Sequence, residues 1–288
     1  MNDIKTLHES ITQIDIKGIA DLAHVELVDE IAYFPYTDPN NYSKIGFPKK
    51  VAHDYSKDYL TFEIINGGTI LYQFSRASKI IEYSKNGGEW LSLSPSTSGT
   101  QILVNTGDKL RFKFSGGSFG DSEEGITNSF KTSVSDPVRF TVSGNLMSLV
   151  DGDNFLTSSK QMAFCNFYNF FDQCYGLTDI SNLVFPDHVS SECYKQMFRN
   201  CKNLVTGPTL PVKQLVTECY SNMFSSCQKL NYIKCLATDI SAVGCTTNWL
   251  SNVASTGTFV GDPATTWQRG ASSIPEGWTT NTNIGTLA

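Results

Sequence analysis

No cysteine precedes Cys165, although the chain carries eight. The first half can therefore hold neither a disulfide nor a cysteine metal site. Histidine is equally scarce: His8, His24, His53 and His188 are scattered without ligand spacing, and a satisfied or exposed imidazole is the expectation for each. Charged residues make up only 17% of the chain against 40% apolar, which excludes both a supercharged surface and intrinsic disorder. Basic residues number 22 and acidic ones 28, a net charge of −6; a nucleic-acid binder working through a basic face has the opposite balance. No apolar run approaches the ~18 residues of a membrane-spanning helix, so no membrane insertion is expected. The opening Met1-Asn2-Asp3-Ile4-Lys5-Thr6-Leu7 lacks the apolar core of a secretory signal. The expectation is a chain that stays where it is made or leaves by a route that reads no N-terminal address. Phosphate-cradling and dinucleotide-binding glycine motifs are missing too.

At 288 residues there is room for roughly two domains. Up to residue 57 the pattern is irregular, and Phe34-Pro35-Tyr36-Thr37-Asp38-Pro39-Asn40-Asn41-Tyr42 cannot continue a helix or a central strand. From Tyr59 to about Val142 the period is two. Leu110, Phe112 and Phe114 alternate with Arg111 and Lys113, and Val138, Phe140 and Val142 alternate with Arg139 and Thr141. Strands with one buried and one wet face have this pattern. Asn66-Gly67-Gly68 and Asn86-Gly87-Gly88 read as hairpin turns, and Asn105-Thr106-Gly107-Asp108 as a further turn. Six or seven strands at this spacing predict a small antiparallel sandwich over 58–145.

The second half is a repeat. Cys193-Tyr194-Lys195-Gln196-Met197-Phe198-Arg199-Asn200-Cys201-Lys202-Asn203-Leu204 returns as Cys219-Tyr220-Ser221-Asn222-Met223-Phe224-Ser225-Ser226-Cys227-Gln228-Lys229-Leu230, each position displaced by 26. Cys245 to Val253 keeps the same apolar places a further 26 residues on, and Phe170 to Leu177 matches at an offset of 27. Three to four units suffice for a solenoid in which neighbours bury each other's apolar faces. Each unit reads as a turn of helix, carrying the Met-Phe pair and the cysteine, followed by a short strand that proline often closes, as at Phe185-Pro186 and Leu210-Pro211. Toward Trp267, Ile274-Pro275 and Gly277-Trp278 the unit degrades, as a terminal cap should. The sandwich and the capped repeats each read as self-sufficient.

These residues carry a resemblance. The Met-Phe-x-x-Cys-x-x-Leu…Leu-Pro unit resembles the leucine-rich repeats of Bacteroides surface-antigen type. The run Leu230 to Ser241, the stretch Val253 to Val260 and Ile274-Pro275-Glu276-Gly277-Trp278-Thr279 resemble the ends of proteins common in gut Bacteroides genomes and their crAss-like phages. The link Phe140 to Leu149 is similar too. The resemblance covers about residues 59–280. It implies a virion fibre or head-decoration protein, in which a sandwich-plus-repeat module is an accessory part and no catalytic residues carry over.

Candidate chemistry is thin. Cys193 and Cys201, like Cys219 and Cys227, stand eight apart rather than the two to four of a zinc site, so a buried, reduced ladder is expected in preference to disulfides or metal. Gly116-Gly117-Ser118-Phe119-Gly120 matches a nucleophile elbow literally, but no helical period follows and only His188 lies downstream as a base; a glycine-rich hairpin loop is preferred. Asp151-Gly152-Asp153-Asn154 could begin a calcium loop but lacks its remaining oxygens, so a domain-junction turn is preferred. The cluster Phe164, Phe167, Tyr168, Phe170, Phe171 and Tyr175 could be a sugar platform, yet repeat-core spacing favours packing. Ile4, Leu7, Ile11 and Ile14 occupy a and d positions of two heptads, which suits a short three-stranded seam or a single amphipathic helix docking on a partner.

The sequence therefore predicts a mainly β chain: an N-terminal attachment segment over 1–57, an immunoglobulin-like β-sandwich over 58–145, and a short leucine-rich-repeat-like α+β solenoid with a cap over 146–288. No enzyme activity, cofactor or metal is expected. The expected role is a homotrimeric head fibre or capsid-decorating protein on the surface of a phage particle. Residues 1–57 would meet capsid or other virion proteins, and the repeats would meet a host glycan or protein. A bacterial surface adhesin or glycan-binding protein is the alternative.

Overall fold

The computed structural model describes residues 53–74, 79–114 and 128–282, together with the strand residues of a short N-terminal hairpin. That hairpin pairs β1 (Leu27–Val28) with β2 (Ile31–Ala32), Leu27 opposite Ala32, within a unit that ends at Asp54. A second compact unit begins at Tyr55.

Among the described residues, eight strands open the second unit: β3 (Leu60–Asn66), β4 (Gly68–Phe74), β5 (Ile81–Lys85), β6 (Leu91–Leu93), β7 (Thr100–Val104), β8 (Lys109–Lys113), β9 (Asn128–Lys131) and β10 (Arg139–Asn145). One antiparallel sheet runs β10-β3-β8-β5-β6, and a separate three-stranded sheet runs β7-β4-β9. The two pack face to face through the alternate residues that the period of two exposes on one side. Phe62 and Phe112 of the first sheet lie with ring centroids 4.9 Å from Phe130 of the second. Tyr72 also lies 4.9 Å from Phe130. Each such ring removed from water contributes about 1.5–3 kcal/mol.

The two glycine turns differ in kind. Asn86 and Gly87 both take positive φ, 53° and 75°, between the paired strands β5 and β6, as a tight hairpin requires. Asn66-Gly67-Gly68 is no hairpin: β3 and β4 belong to different sheets, and the turn carries the chain from one to the other. Its glycines are needed for close approach. A Cβ on Gly67 would sit 2.8 Å from the Val104 carbonyl oxygen, and one on Gly68 2.2 Å from Asp136 Oδ1.

After β10 comes the single-turn helix α1 (Ser148–Asp151), fixed by Ser148, whose hydroxyl accepts from Leu60 N–H at 2.9 Å and donates to the Phe112 carbonyl at 3.1 Å. Each repeat then contributes an extended piece. β11 (Leu177–Asp179) pairs parallel with β10, and β13 (Thr206–Leu210), β14 (Tyr232–Cys235), β15 (Gly257–Gly261) and β16 (Trp278–Asn281) follow in parallel order; β12 (Leu183–Val184) also pairs with β10. The result is one eleven-stranded sheet that begins antiparallel and ends parallel.

The expected turn of helix in each repeat is absent. A ribbon of overlapping β-turns stands in its place. Within 190–201, every second N–H donates to the carbonyl three residues back: Cys193 to Ser190, Lys195 to Glu192, Met197 to Tyr194, Arg199 to Gln196 and Cys201 to Phe198. The intervening N–H groups donate sideways into the next repeat: Glu192 to Thr217, Tyr194 to Cys219, Gln196 to Ser221, Phe198 to Met223 and Asn200 to Ser225. Glu192, Gln196 and Asn200 take φ of 58°, 58° and 61°, and the same left-handed turn recurs at Glu218, Asn222 and Ser226. The physical reason is a period of four. Cys193 with Tyr194, Met197 with Phe198, and then Cys201 are buried. A ribbon that repeats every four residues keeps such pairs on one face, whereas a helix of 3.6 residues per turn rotates them away.

The ribbons extend the second sheet as the strands extend the first. Phe130 N–H on β9 donates to the Phe170 carbonyl of the first ribbon at 2.8 Å, and Thr132 bridges to Cys174. At the far end the fourth ribbon is closed by the segment after Arg269: Leu250 N–H donates to the Ala271 carbonyl, Asn248 N–H to Ser272 Oγ and Trp249 Nε1 to the Ser273 carbonyl. Between the layers run two files of rings. Phe171, Phe198 and Phe224 stack at 5.4 Å with planes within 6° and 4°. Phe167, Tyr194, Tyr220, Trp249 and Trp267 form the other. Phe171 also lies 5.7 Å from Phe62, so one core passes from the two-sheet part into the repeats without a break.

Candidate functional site

Ile4, Leu7, Ile11 and Ile14 lie outside the described residues, as do Ser118 and its glycine loop. His188 is described. Its Nδ1 lies 3.3 Å from Asp187 Oδ1 and its Nε2 3.2 Å from the Lys160 carbonyl, two acceptors of which a neutral ring donates to one, within a surface turn. All eight cysteines are free and buried. Cys201 Sγ donates to the Phe171 carbonyl and Cys227 Sγ to the Phe198 carbonyl, each thiol reaching one repeat back. Burial pushes the thiols of Cys174, Cys219 and Cys235 up to about 12. Such thiols pack as small apolar groups. Phe167, Phe170 and Phe171 of the aromatic cluster are core residues.

Asp151 and Asp153 are each matched by a lysine. Lys160 Nζ meets Asp151 Oδ1, and Lys113 Nζ reaches both oxygens of Asp153 at 3.0 and 2.8 Å. Tyr59 Oη adds a bond to Asp153 Oδ1 at 2.7 Å. Lys113, in turn, lies 4.6 Å from the centre of the Trp90 ring and 3.6 Å from Glu82. The bond from Lys113, followed by that from Tyr59, holds the Asp153 carboxyl below the usual range. Burial, with the Asp153 bond second, raises the Tyr59 hydroxyl to about 12. This network pins the junction after α1 onto the two-sheet part. Among the described residues no group of histidine, cysteine or acidic side chains is arranged to hold a metal ion.

A cavity of about 230 Å³ lies in the cap, at the last two parallel strands. Gly261 ends β15, Thr280 stands on β16, and Asp262, Thr266, Trp267 and Arg269 come from the loop between them. The position of each polar group is set by the fold. Asp262 Oδ1 accepts from Ala264 N–H and Oδ2 from Lys213 Nζ, each at 3.0 Å; in that order these hold its carboxyl below the usual range. Arg269 Nη1 donates to the carbonyls of Pro275 and Trp278 at 3.1 and 2.7 Å, and Nη2 to Thr280 Oγ1 at 3.2 Å. Trp267 stacks on Trp249 at 5.4 Å, and its enclosed indole N–H has no acceptor among the described residues. The cap residues were legible in sequence only as a decayed repeat. The available signal was local: an acid, a tryptophan and an arginine gather in 262–269, a stretch with no counterpart in the earlier repeats.

No family model, curated protein or solved structure matches this chain.

Proposed function

We propose that this chain is a non-enzymatic structural protein of a phage virion, a head fibre or capsid-decorating protein held by residues 1–57 and displaying residues 58–288 on the particle surface. In this reading the two-sheet part is an immunoglobulin-like sandwich and the 26-residue units are a short leucine-rich-repeat-like solenoid. The parallel order of β13, β14 and β15, one strand per unit, supports the solenoid. Capsid or other virion proteins are the partners of residues 1–57, with Ile4, Leu7, Ile11 and Ile14 supplying a trimeric seam. A host glycan or protein is the partner of the repeat end.

The observation that carries the reading is the asymmetry of the display body. Its repeats grow from the edges of both sheets and end in a cap, in which Ala271, Ser272 and Ser273 satisfy the last ribbon. A tip closed in this way needs no partner to cover it and suits an outward end. Bacterial surface adhesion is the second reading, favoured by the polar, aromatic-walled cavity at the same tip.

Particles purified with the full chain and with a chain lacking residues 1–57 separate the two. The full chain should copurify with particles and the truncated one should not. Decoration by the truncated chain, or recovery of the full chain only from cell envelopes, would contradict the virion role.

A further inference from the structure

The cap cavity has hydrogen-bonding capacity that the fold does not use. A guanidinium carries five N–H donors. Arg269 commits three of them, two from Nη1 and one from Nη2, leaving the Nε–H and one Nη2–H without an acceptor among the described residues. Each Asp262 oxygen accepts one bond from the chain and keeps a second lone pair. The hydroxyl of Thr266, on the same wall, has no partner among the described residues. The half-buried Trp267 adds an aromatic surface beside these groups.

We propose that this cavity binds one neutral pyranose ring of a surface glycan. Charge decides against the alternatives. An anion drawn to Arg269 would face the Asp262 carboxylate, and a cation drawn to Asp262 would face both Arg269 and Lys213. A ring bearing adjacent hydroxyls meets both groups at once, giving O–H donors to Asp262 and oxygen acceptors to Arg269, in the charge-assisted bonds that are the stronger kind. The apolar C–H face of the ring then has Trp267 as its wall, matching the usual pattern of an aromatic lining with a few oriented polar groups. Size sets the unit bound. The cavity, about 230 Å³, falls below the ~300–1,000 Å³ of drug-sized sites, so it takes one ring, with neighbouring sugars outside.

The inference deepens the display reading by naming the ligand class at the tip. Its test uses the free chain, so it and the particle experiment can fail separately. Saturation-transfer NMR is recorded on the full-length protein with the methyl pyranosides of glucose, galactose, mannose and N-acetylglucosamine, and with N-acetylneuraminic acid and glucosamine as charged arms. Thr266→Trp fills the cavity from an exposed position, and Asp262→Ala removes the acceptor. The expected result is transfer to the ring C–H protons of at least one neutral pyranoside with millimolar affinity, weakened about tenfold or more by each variant. Transfer to no neutral pyranoside, stronger transfer to a charged arm, or binding unchanged in both variants would overturn it.

Discussion

The backbone N–H of Phe130 donates to the carbonyl of Phe170 at 2.8 Å, which makes the edge strand of the second sheet the first neighbour of the first turn ribbon. On the opposite layer β10 pairs with β3 on one side and β11 on the other. Residue 145, where the strand spacing suggests that one domain ends, is the last residue of a strand that serves both parts. The two-sheet part and the repeats are therefore built as one body, and neither covers its own edge alone.

The thiols give a chemical test of that packing. Cys193, Cys201, Cys219 and Cys227 are fully buried, and burial lifts the thiols of Cys193, Cys201 and Cys219 well away from the thiolate that reacts. Titration of the native protein with a thiol reagent at pH 8 should find few or no reactive groups, and close to eight after unfolding without reductant. Four disulfides, or rapid labelling of the native chain, would contradict the reduced core.

The turn ribbon predicts a substitution pattern that a helix would not. Asn222 has φ of 54°, a conformation that costs ordinary L-residues roughly 1–2 kcal/mol and β-branched ones most. Asn222→Val should lower stability by about 1–2 kcal/mol, whereas Asn222→Gly should be near neutral. In a helix the order reverses, since glycine is the poorer helix former of the two. Chemical denaturation of the two variants decides between them.

Asp108 predicts the response to acid. Lys85 Nζ at 2.7 Å, the Asn105 N–H at 2.7 Å and Asn86 Nδ2 at 2.8 Å bring its pKa down to about 2. The folded value lies below the ~3.9 of an unfolded chain, so its contribution is complete above the unfolded value and is lost as pH falls toward about 2. Asp108→Asn should be less stable at pH 7, and its melting temperature should fall less steeply between pH 4 and pH 2. A parallel pair of curves would contradict this.

How much was legible in the sequence depended on period. The alternation of Phe112 with Arg111, and of Phe140 with Arg139 and Thr141, marked strands whose buried residues the structure places in the core. The 26-residue register was legible too, because stacked units repeat the same contacts, as in Phe198 on Phe224. A four-residue period is easily taken for a helical one over so short a run, and left-handed Glu192 or Gln196 has no compositional mark such as glycine would leave. Asn66-Gly67-Gly68 misled for a related reason. Glycine serves both tight turns and close approach, and only the position of Val104 and Asp136 tells which. The cap cavity was hidden because Arg269 is oriented by the carbonyls of Pro275 and Trp278, groups every residue carries.

The proposed display of residues 58–288 as one body requires that the two parts open together. Hydrogen exchange, read by mass spectrometry on the native full-length protein, tests this in wild type and Phe224→Ala. The substitution empties a fully buried site stacked 5.4 Å from Phe198 and should cost about 3–5 kcal/mol. One body predicts that protection falls in β3 and β10 together with β13 and β14. Loss confined to β13 and β14, with β3 unchanged, would show two independent domains and contradict it.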